Sequence, residues 1–388
     1  GVIYYDCSNF YFEIEQAEDD KQFGLSKENR PLPIVEMGLF MDSEGIPLAF
    51  SINPGNQNEQ LSLIPLEEKL LHNFDLSRFV VCTDAGLSST ANRKFNNYEK
   101  ADGSRAFVTT QSVKKLKKHL KTWTLETTGW KLSGSVSEET YDISKLDENN
   151  DAEKIFYKSR WIKEDGLEQH LIVTYSLKYR NYLQTIRNRQ LERALKALKK
   201  GTSGVESKRQ NDPKRFIKAD HATKDGEVAD KVAYYIDYEA VKEEEKFDGF
   251  YAVCTNLEDD AQDIVKINKR RWEIEECFRI MKSEFEARPV YLHDKERIKA
   301  HFMTCFIALI VYRYLEKKLN EKYTCGQILD CLQEMNFLKF EGKGYIPTYT
   351  KNELTDALHD AFGFNTSKEI IPIKKMKNIC AQTKKTDT

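Results

Sequence analysis

The sequence predicts a mixed α/β protein, on three observations. The first hundred residues hold short β-prone runs, helical periodicity lies between them, and long helix-forming stretches fill the second half. Residues 2–5, Val-Ile-Tyr-Tyr, read as a strand ending at Asp6. Residues 34–41 and 45–52 read as two strands joined by the turn Asp42-Ser43-Glu44-Gly45. In residues 59–72, Leu61, Ile64, Leu66, Leu70 and Leu71 recur at helical spacing. Residues 79–83 form a short apolar strand ending at Asp84, after which Gly86 and the cap candidates Ser88 and Ser89 open a helix. Residues 105–110 complete this part as a fifth strand.

The pattern changes at Gln111. A lysine-rich helix at 114–121, a strand at 170–175 and a long basic helix at 178–200 are predicted, then strands at 232–237 and 248–255. One helix after Asp260 carries residues 268–282, and another spans 295–320 with an almost wholly apolar centre. A helix at 325–335 follows, and the Lys-rich end beyond Lys374 is expected to be disordered.

Of the 388 residues, 40% are hydrophobic and 11% aromatic, enough for real cores and too many for a disordered chain. The longest apolar run, residues 302–311, is interrupted by Thr304 and reads as a buried helix, so no membrane association is expected. The eight cysteines are scattered without a CxxC pair, which suggests reduced thiols in a cytoplasmic protein. The seven histidines show no ligand spacing, and without a P-loop or GxGxxG no nucleotide cofactor is expected. The net charge of -2 hides strong patterning: residues 178–218 hold thirteen Lys/Arg against three acids, and 114–121 hold five lysines. Acidic stretches at 138–153 and 237–248 compensate, as in a protein that grips a polyanion in one place and holds metal in another.

Residues 268–282, NKRRWEIEECFRIMK, concentrate the chemistry. On one helix, Arg271, Glu275 and Lys282 fall on a shared face beside the apolar stripe Ile274, Phe278 and Met281. A carboxylate flanked by fixed cations suits a site for metal and phosphodiester together; an amphipathic helix with surface ion pairs, Glu275 to Arg279 among them, has the same pattern. Asp6 and Asp84 are two more carboxylates where a strand meets a loop, although each also suits a turn or cap. Clustered carboxylates repel unless cations neutralise them, and two Mg²⁺ ions with hard oxygen ligands meet that need.

On these residues the chain resembles the DDE transposases of bacterial insertion sequences, in the branch whose glutamate segment reads Tyr-x2-Arg-x3-Glu-x6-Lys. Arg271, Glu275 and Lys282 match at the required spacing, while Asn268 stands where the family has Tyr. Trp272, Ile274, Glu275, Glu276, Phe278 and Arg279, then Arg288-Pro289-Val290-Tyr291, are also family-like. Tyr4-Tyr5-Asp6-Cys7-Ser8-Asn9 and Thr83-Asp84-Ala85-Gly86-Leu87 resemble the two aspartate segments, and Gly24-x-Ser26-Lys27 and Gly55-Asn56-x-x-Glu59 resemble signatures between them.

The resemblance implies an RNase H-like catalytic core whose last catalytic helix follows a large, partly β insertion. Its first part would be residues 1–110, the insertion 111–245, the second part with the Glu275 helix 246–320, and a C-terminal helical region and polar tail 321–388. It implies Asp6, Asp84 and Glu275 as catalytic ligands of two Mg²⁺ ions, with Mn²⁺ able to substitute, and Arg271, Lys282, Asn268, Arg279 and Lys27 as DNA contacts. It further implies cleavage and strand transfer at the element's ends, on transposon-end and target DNA, by a homodimer in a synaptic complex. The abrupt start in a strand at Val2 suggests an N-terminal truncation. The competing expectations are a metal-dependent DNA nuclease of the same fold and a catalytically decayed or repurposed DNA-binding protein.

Overall fold

The structure, a computed structural model, describes residues 1–28, 30–74, 78–199, 212–222 and 228–382, with the side chains of 220–222 and 228–233 left aside. Residues 200–211 of the basic stretch and residues 383–388 of the Lys-rich end therefore lie outside the described residues. The chain divides into two compact units, one of residues 1–76 with 271–388 and the other of residues 77–270.

The first unit opens with an antiparallel meander of β1 (Val2–Tyr11), β2 (Ile34–Asp42) and β3 (Pro47–Pro54), in which β2 lies between its neighbours. The β2–β3 turn follows from its residues: Asp42 Oδ1 accepts the amides of Glu44 and Ile46, each at 2.8 Å, and Gly45 takes a φ of 83°. β1 does not stop at Asp6. It runs on to Tyr11 and sets Asp6 opposite Leu39, because residues 7–11 remain β-prone and β2 supplies a partner as far as Ile34. Asp6 is thus a half-buried mid-strand carboxylate. After the turn Glu59–Leu61 comes helix α1 (Leu63–Phe74), which buries Leu63, Leu66 and Leu70.

The second unit begins with β4 (Arg78–Thr83), a tight turn at Asp84, and α2 (Thr90–Phe95), capped by Ser89 through the Asn92 amide. Next come β5 (Tyr98–Lys100), β6 (Gly103–Gln111), α3 (Lys118–Leu125), β7 (Lys131–Leu132), β8 (Phe156–Glu164) and β9 (Leu167–Tyr175). Helix α4 (Leu177–Lys199), the ribbon β10 (Ile217–Ala222) and β11 (Val228–Ile236), α5 (Tyr238–Glu245), β12 (Phe250–Thr255) and α6 (Ala261–Lys269) complete it. Its sheet runs β4-β6-β12-β9-β8-β7, with β5 beside β6; β4 and β6 are parallel and the rest antiparallel. The core is built on Trp130, Phe156, Leu171, Val173 and Tyr175. Lys158 is buried there over the Trp130 ring at 4.5 Å and donates to the Glu126 carbonyl, and burial lowers its pKa to about 8.

Back in the first unit, α7 (Trp272–Arg279) continues into a π-helical turn, Ile280–Glu284, closed by the Phe285 amide on the Ile280 carbonyl at 3.0 Å. Residues 268–282 are therefore not one helix. α6 ends where the Arg270 amide turns back onto Ile267 and Asn268, so Asn268 and Glu275 stand on different helices. Helix α8 (Lys295–Lys318) packs Phe302 against Phe10 and Phe306 against Phe50, with centroids 5.0 and 4.9 Å apart. By length and composition alone α8 could cross a membrane, and it is buried on one side only, since Met303, Ile307, Val311 and Tyr314 are exposed. The chain finishes with α9 (Cys325–Glu334), the ribbon β13 (Phe337–Phe340) and β14 (Gly344–Pro347), α10 (Glu353–Phe362) and α11 (Ile373–Gln382). The expected disorder beyond Lys374 is thus corrected as far as Gln382, because Ile379 gives the amphipathic α11 a buried anchor.

Candidate active site

In the first unit the meander places Asp6 among cations. One oxygen of Asp6 accepts the Cys7 amide at 2.8 Å. Lys27 donates to the Cys7 carbonyl at 2.6 Å and pairs with Glu59 at 3.1 Å. Burial opposes the charge on Lys27, but Glu59 and Asp6 outweigh it and raise the lysine pKa. Lys282 reaches the same strand from the π-helical turn: its Nζ donates to Ser8 Oγ at 2.7 Å, lies 5.2 Å from the centre of the Phe10 ring and stands 3.8 Å from Glu28. Burial, and then the like charge of Lys27, bring its pKa down to about 8, against the pull of Asp6. Two lysines separated by most of the chain thus act on one carboxylate.

The two glycine signatures acquire a physical reason here. A Cβ on Gly24 would stand 1.8 Å from the Gly55 carbonyl oxygen, so only glycine allows these segments to touch. Their contact is what brings Lys27 to Glu59. Behind that pair lie Tyr5, Cys7, Ser62 and Glu36, all nearly inaccessible to water. Tyr5 donates to Ser62 at 2.7 Å, and Glu36 has one oxygen without a hydrogen-bond partner. Burial, then Glu59, push the Glu36 carboxyl up to about 7, and burial raises the Cys7 thiol far above its ordinary range. Sequence reasoning missed Glu36 and the pairing role of Glu59; the paired glycine signatures were the signal that could have found the latter.

Glu275, on α7, is largely exposed and pairs with Arg271 at 2.8 Å. Arg279 pairs with Glu276 at 2.6 Å and with Glu284 at 3.0 Å, not with Glu275, and these partners raise its pKa. Arg279, expected to meet DNA, is thus engaged at the surface in pairs with two carboxylates.

In the second unit Asp84 leaves β4 half-buried. Its Oδ1 accepts the Leu87 amide at 2.9 Å, and its backbone carbonyl accepts Thr109 Oγ1 at 3.2 Å. A Cβ on Gly86 would lie 3.2 Å from Asp84 Oδ1, so a small residue keeps this turn open. The turn role occupies Oδ1 alone. Asn268 is 4% exposed, and its side chain donates to the Tyr251 hydroxyl at 2.7 Å while accepting from Thr110 at 3.3 Å. That amide braces α6 against β6 and β12 and faces inward.

Asp6 and Glu275 thus belong to the first unit and Asp84 to the second. Among the described residues no three Asp, Glu, His or Cys side chains stand together as a ready metal-ligand set. Carboxylate oxygen is the hard donor type that divalent cations take; Lys27 and Lys282 stand by Asp6, and Arg271 pairs with Glu275.

The family model described as "Transposase DDE domain" matches residues 26–311. That span contains Lys27, Asp84, Asn268, Arg271, Glu275, Arg279 and Lys282 and leaves Asp6 outside. Among solved structures, the chain is similar to a piggyBac transposase in a synaptic complex with hairpin DNA, at 8% identity and a TM-score of 0.40. The likeness covers 83% of this chain and 48% of the other, so the chain spans about half of that protein's length. No curated protein matches the chain.

Proposed function

The chain belongs to the transposase DDE domain family, and on that premise we propose that it cleaves DNA at the ends of an insertion sequence and joins them to target DNA. The family match over most of the chain is the observation that carries this reading. Asp6, Asp84 and Glu275 would hold two Mg²⁺ ions, or Mn²⁺ in their place, on an RNase H-like core interrupted by an insertion at residues 111–245. Bound there, the ions would supply Lewis-acid activation of a water or 3′-hydroxyl and charge stabilisation of the departing 3′ oxygen.

The chain's own residues do the rest. Lys27 and Lys282 set two positive charges beside Asp6 and offset its charge before any cation arrives. Arg271, paired with Glu275, would with Lys282 hold a phosphate by charge-assisted hydrogen bonds. Asn268 acts indirectly by holding Tyr251, so this departure from the family pattern supports the second unit and leaves phosphate contact to the cations. The working assembly is a homodimer on two DNA ends.

The test uses labelled element ends and a target plasmid with Mn²⁺. Cleavage and joined products are expected, and Asp84→Asn or Glu275→Gln should lower both by more than about 100-fold, since even outer partners of metal ligands are worth 10–100-fold. Cut ends without joining would identify a nuclease. Activity that survives both substitutions would remove the carboxylates from the mechanism.

A further inference from the structure

Helix α4 has an inner and an outer face of opposite character. Its inner face is anchored twice. Arg187 makes a buried two-point pair with Asp248, one contact at 2.8 Å, and Ala194 with Leu191 and Leu198 packs on Ile217 and Ile236 of the ribbon. At 100° per residue, Tyr182, Thr185, Arg189, Arg193 and Lys196 form the opposite stripe, and all five are exposed. Glu192, exposed and one turn before Lys196, borders the stripe as its one acidic neighbour on α4. Arg189, Arg193 and Lys196 have no ion-pair or hydrogen-bond partner among the described residues, whereas Lys178 and Arg180 nearer the helix start are paired with Glu153 and Glu148. The three unpaired cations span about 10 Å along the axis at 1.5 Å per residue.

Unpaired cations on a helix anchored at two points need break no ion pair and shift no backbone to meet an anion, and several in a row suit a polymer of phosphates better than one small ion. Tyr182, 59% exposed and stacked on Tyr179 with centroids 6.3 Å apart, adds an amphipathic ring at the start of the stripe. We infer that the outer face of α4 is a docking surface for the sugar–phosphate backbone of duplex DNA, made by Arg189, Arg193 and Lys196 without reading bases. This rests on the reading of the chain as a DNA-processing enzyme and adds a contact separate from the carboxylates. Duplex is favoured over single strands because the stripe is cationic with a single aromatic, whereas single-strand sites alternate cations with several stacking rings. The competing role for cations late in a helix is to offset its macrodipole, which would act on stability and not on DNA.

The experiment measures binding of the full chain to unrelated duplexes, and to single strands of the same length, in EDTA over a range of salt, for the parent and for Arg189→Gln/Arg193→Gln/Lys196→Gln. The salt slope is expected to fall by about 2 to 3 and affinity at 0.1 M salt by roughly tenfold or more, equally for all sequences, with the thermal transition little changed. An unchanged slope, a loss confined to thermal stability, or a loss confined to single strands would overturn the inference. Because EDTA removes metal chemistry, a chain that fails to cleave can still show the slope, and Asp84→Asn should leave the slope at its parent value. The two readings therefore fail separately.

Discussion

Glu36 is buried beside Glu59 with one oxygen unpartnered, and its pKa is raised to about 7. Between the ordinary carboxylate pKa and 7, the folded chain keeps a proton that the unfolded chain has released. Glu36 therefore favours the fold most when protonated, and that contribution is lost as pH rises through 7. Glu36→Gln keeps the shape and removes the charge, so it should stabilise the protein at pH 8 by about 1–3 kcal/mol and leave it nearly unchanged at pH 4. Thermal melts at the two pH values check this; an equal shift at both would show that the effect is packing and not charge. Such a residue is invisible in sequence, because Glu36 sits in an apolar strand with no partner nearby in the chain. Lys27, Lys282 and Asp6 were each legible by motif, but that both lysines act on Asp6 was not, since the Lys282–Ser8 bond joins residues 274 positions apart.

At the scale of elements, legibility followed local signals. Ser89 caps α2 as its position suggests, and the turn at Asp42 and the span of α4 were readable from turn chemistry and composition. β8 was not, because Phe156-Tyr-Lys-Ser-Arg-Trp-Ile lacks strict alternation and exposes Arg160 and Trp161. The break between α6 and α7 and the π-helical turn were also hidden, since neither Pro nor Gly marks them and only hydrogen bonding does. α4 itself depends on the Arg187–Asp248 pair, with both side chains nearly inaccessible. Arg187→Met should destabilise the second unit by about 3–5 kcal/mol by leaving Asp248 buried and unpaired, while Arg187→Met with Asp248→Leu should recover much of the loss. Denaturant unfolding of the single and double variants decides it; a double variant as unstable as the single would assign the helix's support elsewhere.

At the scale of the molecule, the two units have different covalent character. Residues 77–270 are one continuous stretch with a core of their own, so that segment alone should fold and give a cooperative thermal transition. A gradual, non-cooperative melt of the isolated segment would show that its core depends on the remainder. Composition gave no hint of this arrangement: nothing in the residues around 76 and 271 reads as a linker, and the division emerges only from which strands and helices pack together.

The discontinuity of the first unit has a consequence for synthesis. The strand carrying Asp6 leaves the ribosome well before the turn carrying Lys282, which lies 274 residues from its partner Ser8. At about 5–20 residues per second, roughly a quarter of a minute to a minute separates their emergence. Throughout that interval the aromatic residues of β1 and β2 lack α8, whose Phe302 covers Phe10. Until α8 emerges, that apolar surface has no intramolecular cover from Phe302, and the first unit can close only after the whole second unit has been made.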